Sequence, residues 1–228
     1  MRLAPALADC EFLSHCINSA VFGSGVHGTR RMRVRNLTDR EGQMGPVTRV
    51  GVTVTFLRMD HAPRVPAPAL PVGLSVVRAE APTVPFYRYL YNTIGADYLW
   101  WLRRTCSDAE LTGLLSNRAI GIYTLYGKGE PAGFFELDAR TWPDVNLSYF
   151  GLMPFMIGTG VGHAFLRCAV DEVWRRGAKG MTVNTCTADH PRALPNYLRA
   201  GFTVTRKVRE VWSIPGNLNL RIPESLRL

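Results

Sequence analysis

Lysine is nearly missing from this chain. Of its 27 basic residues only Lys128, Lys179 and Lys207 are lysines, so arginine carries the formal net charge of +9. Such an excess suits nucleic acid, acidic surfaces or phosphate-rich cofactors. A preference for arginine over lysine also arises from base composition, so the charge alone selects no partner. Cysteine is sparse: Cys10, Cys16, Cys106, Cys168 and Cys186 are odd in number and scattered, with no Cys-x-x-Cys pair. That pattern points to a reducing compartment and away from a zinc site, and His15 beside Cys16 lacks the second ligand pair a metal centre needs. No apolar run reaches the roughly 18 residues of a membrane-spanning helix. The opening apolar run is cut by Asp9 and Glu11 before it reaches signal-peptide length. A cytoplasmic protein with neither metal nor membrane partner is the expectation. Two phosphate loops are also missing. There is no Gly-x-x-x-x-Gly-Lys-[Ser/Thr], and a dinucleotide fingerprint beginning at Gly158 would need glycine where His163 stands.

What is present suits one domain with appendages, since 228 residues with a hydrophobic fraction of 46% can fill a core. Residues 1–46 show no period, and the basic run Arg30-Arg31-Met32-Arg33-Val34-Arg35 has the composition of an arm with little fixed structure; Met44 is a possible alternative initiator. The domain is expected over 47–228, with its core at about 72–212. Alternation predicts strands over 49–59 and 72–78, joined by a proline-rich linker over 62–71. The aromatics crowded between Pro82 and Trp101 are read chiefly as core packing. Ser107 and Glu110 form a capping box before a helix, and 120–126 and 132–139 form a hairpin around Gly-Lys-Gly-Glu-Pro. A third antiparallel strand over 145–152, a strand over 203–212 and a loose tail of sixteen residues complete the reading. Antiparallel strands followed by one βαβ crossover give an α+β fold: a mixed, mostly antiparallel sheet with helices on both faces.

The informative stretch is 147–202. A buried strand ends at Pro154, Gly158, Gly160 and Gly162 follow, and apolar positions then recur at helical spacing through Ala164, Phe165, Cys168, Ala169 and Val173. His163, Arg167, Asp171 and Arg175 fall on the opposite face, and Gly177 is placed to end the helix. Glycines at a helix start offer unpaired N–H groups with no Cβ in the way, which makes an anion site; they also make an ordinary tight turn. A second strand, 181–187, and a short segment ending in Tyr197-Leu198-Arg199-Ala200-Gly201-Phe202 follow.

The pairing of Leu152-x-Pro154-x-x-x-Gly158-x-Gly160-Val161-Gly162 with Ala193-x-x-x-Tyr197-x-x-x-Gly201-Phe202 resembles the acyl-CoA-binding core of the GNAT (Gcn5-related) N-acetyltransferases. The resemblance covers roughly 82–212, and Thr185-Cys186-Thr187-x-Asp189-His190-Pro191 is similar to a bacterial branch of that superfamily whose acceptor these motifs do not name. It implies a sheet whose two central strands, 147–152 and 181–187, splay apart to admit the pantetheine arm of acetyl-CoA. Backbone groups near Leu152 and Met153 would bind pantetheine and polarise the carbonyl. N–H groups of Gly158, Thr159, Gly160, Val161, Gly162 and His163 would hold the diphosphate, with Asn184 and His190 also at the cofactor. The chain departs from the family pattern at Ile157, where Gln or Arg is usual, and at His190, where Asn often stands.

Acyl transfer to an amine needs a neutral amine, a polarised carbonyl, a positioned thioester and a proton for the leaving thiolate. By resemblance Tyr197 is the general acid. Glu136 is the expected base, as the carboxylate nearest the splay in an otherwise apolar strand, where burial would raise its pKa. His163 and His190 are further candidates. The resulting expectation is an N-acetyltransferase acting by direct attack in a ternary complex on a small-molecule or protein amine, with a homodimer possible. The alternative is a basic nucleic-acid-binding or regulatory protein on a silent GNAT fold.

Overall fold

The computed structural model describes residues 46–228. The basic run Arg30–Arg35, Cys10, His15, Cys16 and Met44 lie outside the described residues. One seven-stranded sheet organises the rest. In chain order the elements are β1 (Val47–Met59), β2 (Leu74–Ala79), α1 (Val84–Ile94), α2 (Asp108–Leu115), β3 (Ile120–Gly127), β4 (Glu130–Asp138), β5 (Asp144–Leu152), α3 (Gly162–Arg175), β6 (Gly180–Cys186), α4 (Ala193–Ala200) and β7 (Thr203–Pro215).

Local chemistry sets most of these boundaries. Thr83 and Ser107 cap α1 and α2, the latter through a complete capping box with Glu110. Lys128 and Gly129 both take left-handed φ values, of 53° and 88°, which is the two-residue turn that matches strand twist in the β3–β4 hairpin. Gly177, at φ 83°, leads the chain out of α3.

The sheet runs β2-β3-β4-β5-β6-β1-β7, and every pairing is antiparallel except β5 with β6. β1 lies upstream of the 72–212 stretch, yet it is inserted between β6 and β7 and pairs along its length with β7. α1 and α2 cover one face through Tyr87, Leu90, Tyr91, Ile94 and Leu111. α3 covers the other through Phe165, Leu166, Ala169, Val170 and Val173, joined by Tyr197 and Ala200 of α4. Full burial of side chains this size stabilises by about 1.5–3 kcal/mol each.

Two expectations need correcting. Arg167 does not lie on a solvated helix face: it is 5% exposed, because the 62–71 linker crosses α3 and Val65 O accepts from its Nη2 at 2.7 Å. The tail is not loose either. Leu220, Ile222 and Leu226 pack against the Val50, Val52, Val54 cluster, and Leu228 N–H donates to Arg49 O at 3.1 Å.

The central strands part as expected. β5 and β6 pair only from Asp144–Gly180 to Leu147–Val183. At the closed end Arg58 clasps Asp144 through two hydrogen bonds of 2.7 and 3.1 Å, over Gly180, where a Cβ would lie 2.3 Å from the guanidinium. At the open end Ser148 is the extra residue of a bulge opposite Glu136 and Leu137. A bulge bends its strand and increases its twist, which turns 148–152 away from β6.

Candidate active site

Where β5 leaves β6 the sheet opens into a cavity of about 800 Å³. It runs from the glycine turn before α3, past α4, to an aromatic wall at Tyr98, Trp100, Trp101 and Trp212. The segment forming that wall crosses from α1 onto β1. Leu99 anchors it, 2% exposed in the β1 cluster and held at φ 54°. A left-handed leucine costs about 1–2 kcal/mol and persists only where its surroundings over-determine it. Gly95 supports the same turn, since a Cβ there would meet Trp100 at 2.3 Å.

At the other end the glycine turn has the features of an anion site. Gly158 and Gly160 take φ values of 86° and 85°, and a Cβ on either would meet nothing within 4 Å. The N–H groups of Gly158, Gly160, Val161, Gly162 and His163 have no partner among the described residues, and no side chain caps α3. Open donors at the positive end of a helix dipole fit a diphosphate. Thr159 differs: its N–H and its hydroxyl both turn back to Met156 O, at 3.4 and 2.8 Å.

His163 is tied to α4. Asn196 Nδ2 donates to Gly162 O at 3.3 Å, which leaves Asn196 Oδ1 as acceptor for His163 Nδ1 at 3.0 Å. That contact locks the start of α3 to α4. His190 Nδ1 accepts from Arg192 N–H at 3.1 Å, while its ring meets Tyr98 edge-on at 6.3 Å. Both histidines, Asn184 and Leu152 line the cavity. Met153 does not. Its side chain is 1% exposed in the α1 core and its N–H donates to Ala132 O at 2.9 Å. The backbone edge left open to a pantetheine is therefore that of 148–152.

Glu136 is withdrawn from the cavity. It is fully buried, accepts from Tyr87 Oη at 2.6 Å and from Arg103 Nη2 at 3.0 Å, and lies behind the wall that Tyr149 and Tyr91 present. With both oxygens engaged it is an ion-pair partner that fixes the wall.

Asp189, which sequence reasoning did not single out, takes its place at the site. It follows β6 and lines the cavity, and its Oδ2 accepts from Thr185 Oγ1 at 2.7 Å and from Cys186 N–H at 2.9 Å. Burial raises its pKa above the ordinary aspartate value, and hydrogen bonds from Thr185, Cys186 N–H and Trp100 offset this only in part. Its presence within Thr185–Pro191 was the available signal. Tyr197 is 6% exposed between Phe150 and Phe202, lines the same cavity, and its hydroxyl has no hydrogen-bond partner among the described residues. Burial, then the negative charge of Asp189, push its pKa well above that of a free phenol. The structure thus brings Tyr197, Asp189, His163, His190, Asn184 and the glycine turn to one cavity, and leaves Glu136 and Met153 outside it.

No metal-binding cluster of His, Cys, Asp or Glu occurs among the described residues, and no helix there is long and apolar enough to cross a membrane.

No family model matches the chain, and no curated protein sequence matches it. Solved structures do. A GCN5-related N-acetyltransferase from Sphaerobacter thermophilus superposes with a TM-score of 0.53 at 17% identity, over 78% of this chain and 56% of that one. A GCN5-related N-acetyltransferase from Kribbella flavida gives 0.50 at 14% identity, over 75% and 63%. A tandem GNAT protein from the clavulanic acid biosynthesis pathway gives 0.51 at 17%, over 73% and 55%. This chain spans between half and two thirds of the length of each. At such identities the likeness is one of fold, and the fold is that of the GNAT acetyltransferases.

Proposed function

We propose that this protein is an acyl-CoA-dependent N-acyltransferase of the cytoplasm that moves an acetyl group from acetyl-CoA to a primary amine by direct attack. The observation that carries the reading is the continuity of one cavity. It joins the unpaired N–H groups of Gly158, Gly160, Gly162 and His163 at the glycine turn, an open strand edge at 148–152, and an acid–base pair, Asp189 and Tyr197.

Features along the cavity suit an acyl-CoA. The open space over Gly158 and Gly160 admits a diphosphate, Arg192 and Arg199 of the α4 segment add positive charge to the same wall, and the splay admits an extended arm. Asp189, with its raised pKa, takes one proton from the incoming ammonium and passes it to solvent. The amine nitrogen then attacks the thioester carbonyl carbon, the C–N bond forms and the C–S bond breaks. The second proton leaves the nitrogen to solvent as the thiolate receives one from Tyr197, which solvent reprotonates, giving an amide, free CoA thiol and the neutral phenol. Because burial raises the Tyr197 pKa, its help to the thiolate rests on a positioned hydrogen bond more than on free acidity.

The test is amine-dependent release of CoA thiol from acetyl-CoA across a panel of primary amines, with the product identified by mass spectrometry. Saturable release with formation of the matching acetamide is expected; acetyl-CoA that stays intact with every amine refutes the reading.

A further inference from the structure

At the point where β5 and β6 part, a row of three polar side chains crosses from one strand to the other. Thr182 Oγ1 donates to Asn146 Oδ1 at 3.0 Å, across the register pair that these two residues form, and Asn146 Nδ2 donates to Ser148 Oγ at 3.0 Å. The row ends in the cavity. Asn146 is 8% exposed, and both it and Ser148 line that space. Leu147 and Phe150 pack on the α3 side with Phe165, and Tyr149 packs on the α1 side; the bulge between them leaves Ser148 unpaired with β4 at the inner end of the open edge. A serine hydroxyl carries one proton and two acceptor sites. Asn146 occupies one acceptor site, and the Ser148 O–H has no acceptor among the described residues.

We infer that Ser148 is a catalytic residue whose hydroxyl donates to the thioester carbonyl oxygen and to the oxyanion that forms from it, with Asn146 and Thr182 as positioning residues. The inference rests on the acyltransferase reading and deepens it. Acyl transfer needs donors aimed at the oxygen where negative charge develops. One of the two backbone positions expected to supply them is spent, since Met153 N–H donates to Ala132 O at 2.9 Å. An arm entering from the glycine turn along 148–152 meets the closed pairing at Leu147–Val183, which puts its reactive end at Ser148. Tyr197 belongs to the same end, with its ring 6.4 Å from that of Phe150. As the C–N bond forms, the carbonyl π pair moves onto oxygen, and it returns as the C–S bond breaks. Ser148 keeps its proton throughout. The amide hydrogen that Asn146 places on Oγ fixes the hydroxyl's direction and polarises it, which makes it a better donor.

The experiment uses the full chain and acetyl-CoA isotope-labelled at the thioester carbonyl, read by difference infrared spectroscopy, so it needs no acceptor amine. Bound to the parent, the carbonyl band should lie below its position in free acetyl-CoA, as a polarised carbonyl does. Ser148→Ala should bind acetyl-CoA within about threefold of the parent's affinity, with the band moved at least halfway back to the free position; with any amine the parent accepts, kcat should fall about 10²-fold. Ser148→Cys, which keeps the volume with a weaker donor, should move the band the same way. So should Asn146→Leu, which leaves the hydroxyl free to turn. A serine that served only the bulge would leave the band of the bound cofactor where the parent has it. The full parental shift in the Ser148 variants overturns the inference and leaves the acyltransferase reading standing; a full shift in Asn146→Leu alone strikes Asn146 and Thr182 from it. A parent chain that binds no acetyl-CoA overturns both.

Discussion

At the scale of single residues the account turns on Asp189. Its folded-state pKa is raised, so between the unfolded and folded values the native chain binds more protons, and stability falls as pH rises through that window. Asp189→Asn keeps an oxygen for Thr185 and Cys186 N–H and removes the buried charge. The variant should therefore melt no lower than the parent at neutral pH, bind acetyl-CoA as the parent does, and lose about 10² to 10⁴ in kcat, the usual range for a general base. The parent's kcat/KM should rise with pH on an acid limb placed above the ordinary aspartate value of about 3.9. A pH–rate profile checks this, and an unchanged limb in the Asn variant contradicts it. Tyr197→Phe removes only a hydroxyl that has no partner among the described residues, so folding and acetyl-CoA binding should be retained while kcat falls about 10²-fold. Turnover within about threefold of the parent would return Tyr197 to the core alone. Glu136 shows the limit of residue-level reading. An apolar strand made it look like a buried base, but the partners that neutralise it, Tyr87 and Arg103, come from 49 and 33 positions away. No local pattern announces such a pair. Asp189 was missed for the converse reason, since a carboxylate before His-Pro reads as turn chemistry.

Among elements, the glycine turn and α3 were legible because their signals are local: proline, three glycines, helical spacing and a terminal glycine. The capping box and the β3–β4 turn were legible for the same reason. The splay followed only from the resemblance, and its physical cause, the bulge at Ser148, is invisible without the register of β4 against β5. Gly160→Val tests the turn. A β-branched residue is strained at φ 85°, and its side chain would occupy the open space over the free N–H groups. We expect acetyl-CoA affinity to fall by more than tenfold with the cooperative unfolding transition kept. Calorimetric titration of the folded variant checks it, and unchanged affinity would move the diphosphate elsewhere.

For the molecule as a whole, the least legible feature was the place of β1. Alternation marked 49–59 as a strand, but its partners β6 and β7 lie more than a hundred residues downstream, and pairing over such separations leaves no trace in either segment alone. Its position makes β1 part of the sheet. A chain beginning at Pro46 keeps all seven strands and should unfold cooperatively, whereas one beginning at Asp60 leaves β6 and β7 without the strand between them and should not. Circular dichroism melts of the two decide this. The Pro46 chain also weighs the nucleic-acid alternative, which rests on Arg30–Arg35: if only the full chain binds duplex DNA, with steep salt dependence, the basic run carries that binding.

The central claim is that the splay and the glycine turn form one acyl-CoA site, and it is tested most directly by the melting temperature of the full chain with acetyl-CoA. At a concentration about 100-fold above a micromolar Kd, the complex should gain about 2.7 kcal/mol, a rise of roughly 5–10 °C for a chain of this size. No shift with acetyl-CoA at millimolar concentration would contradict the account.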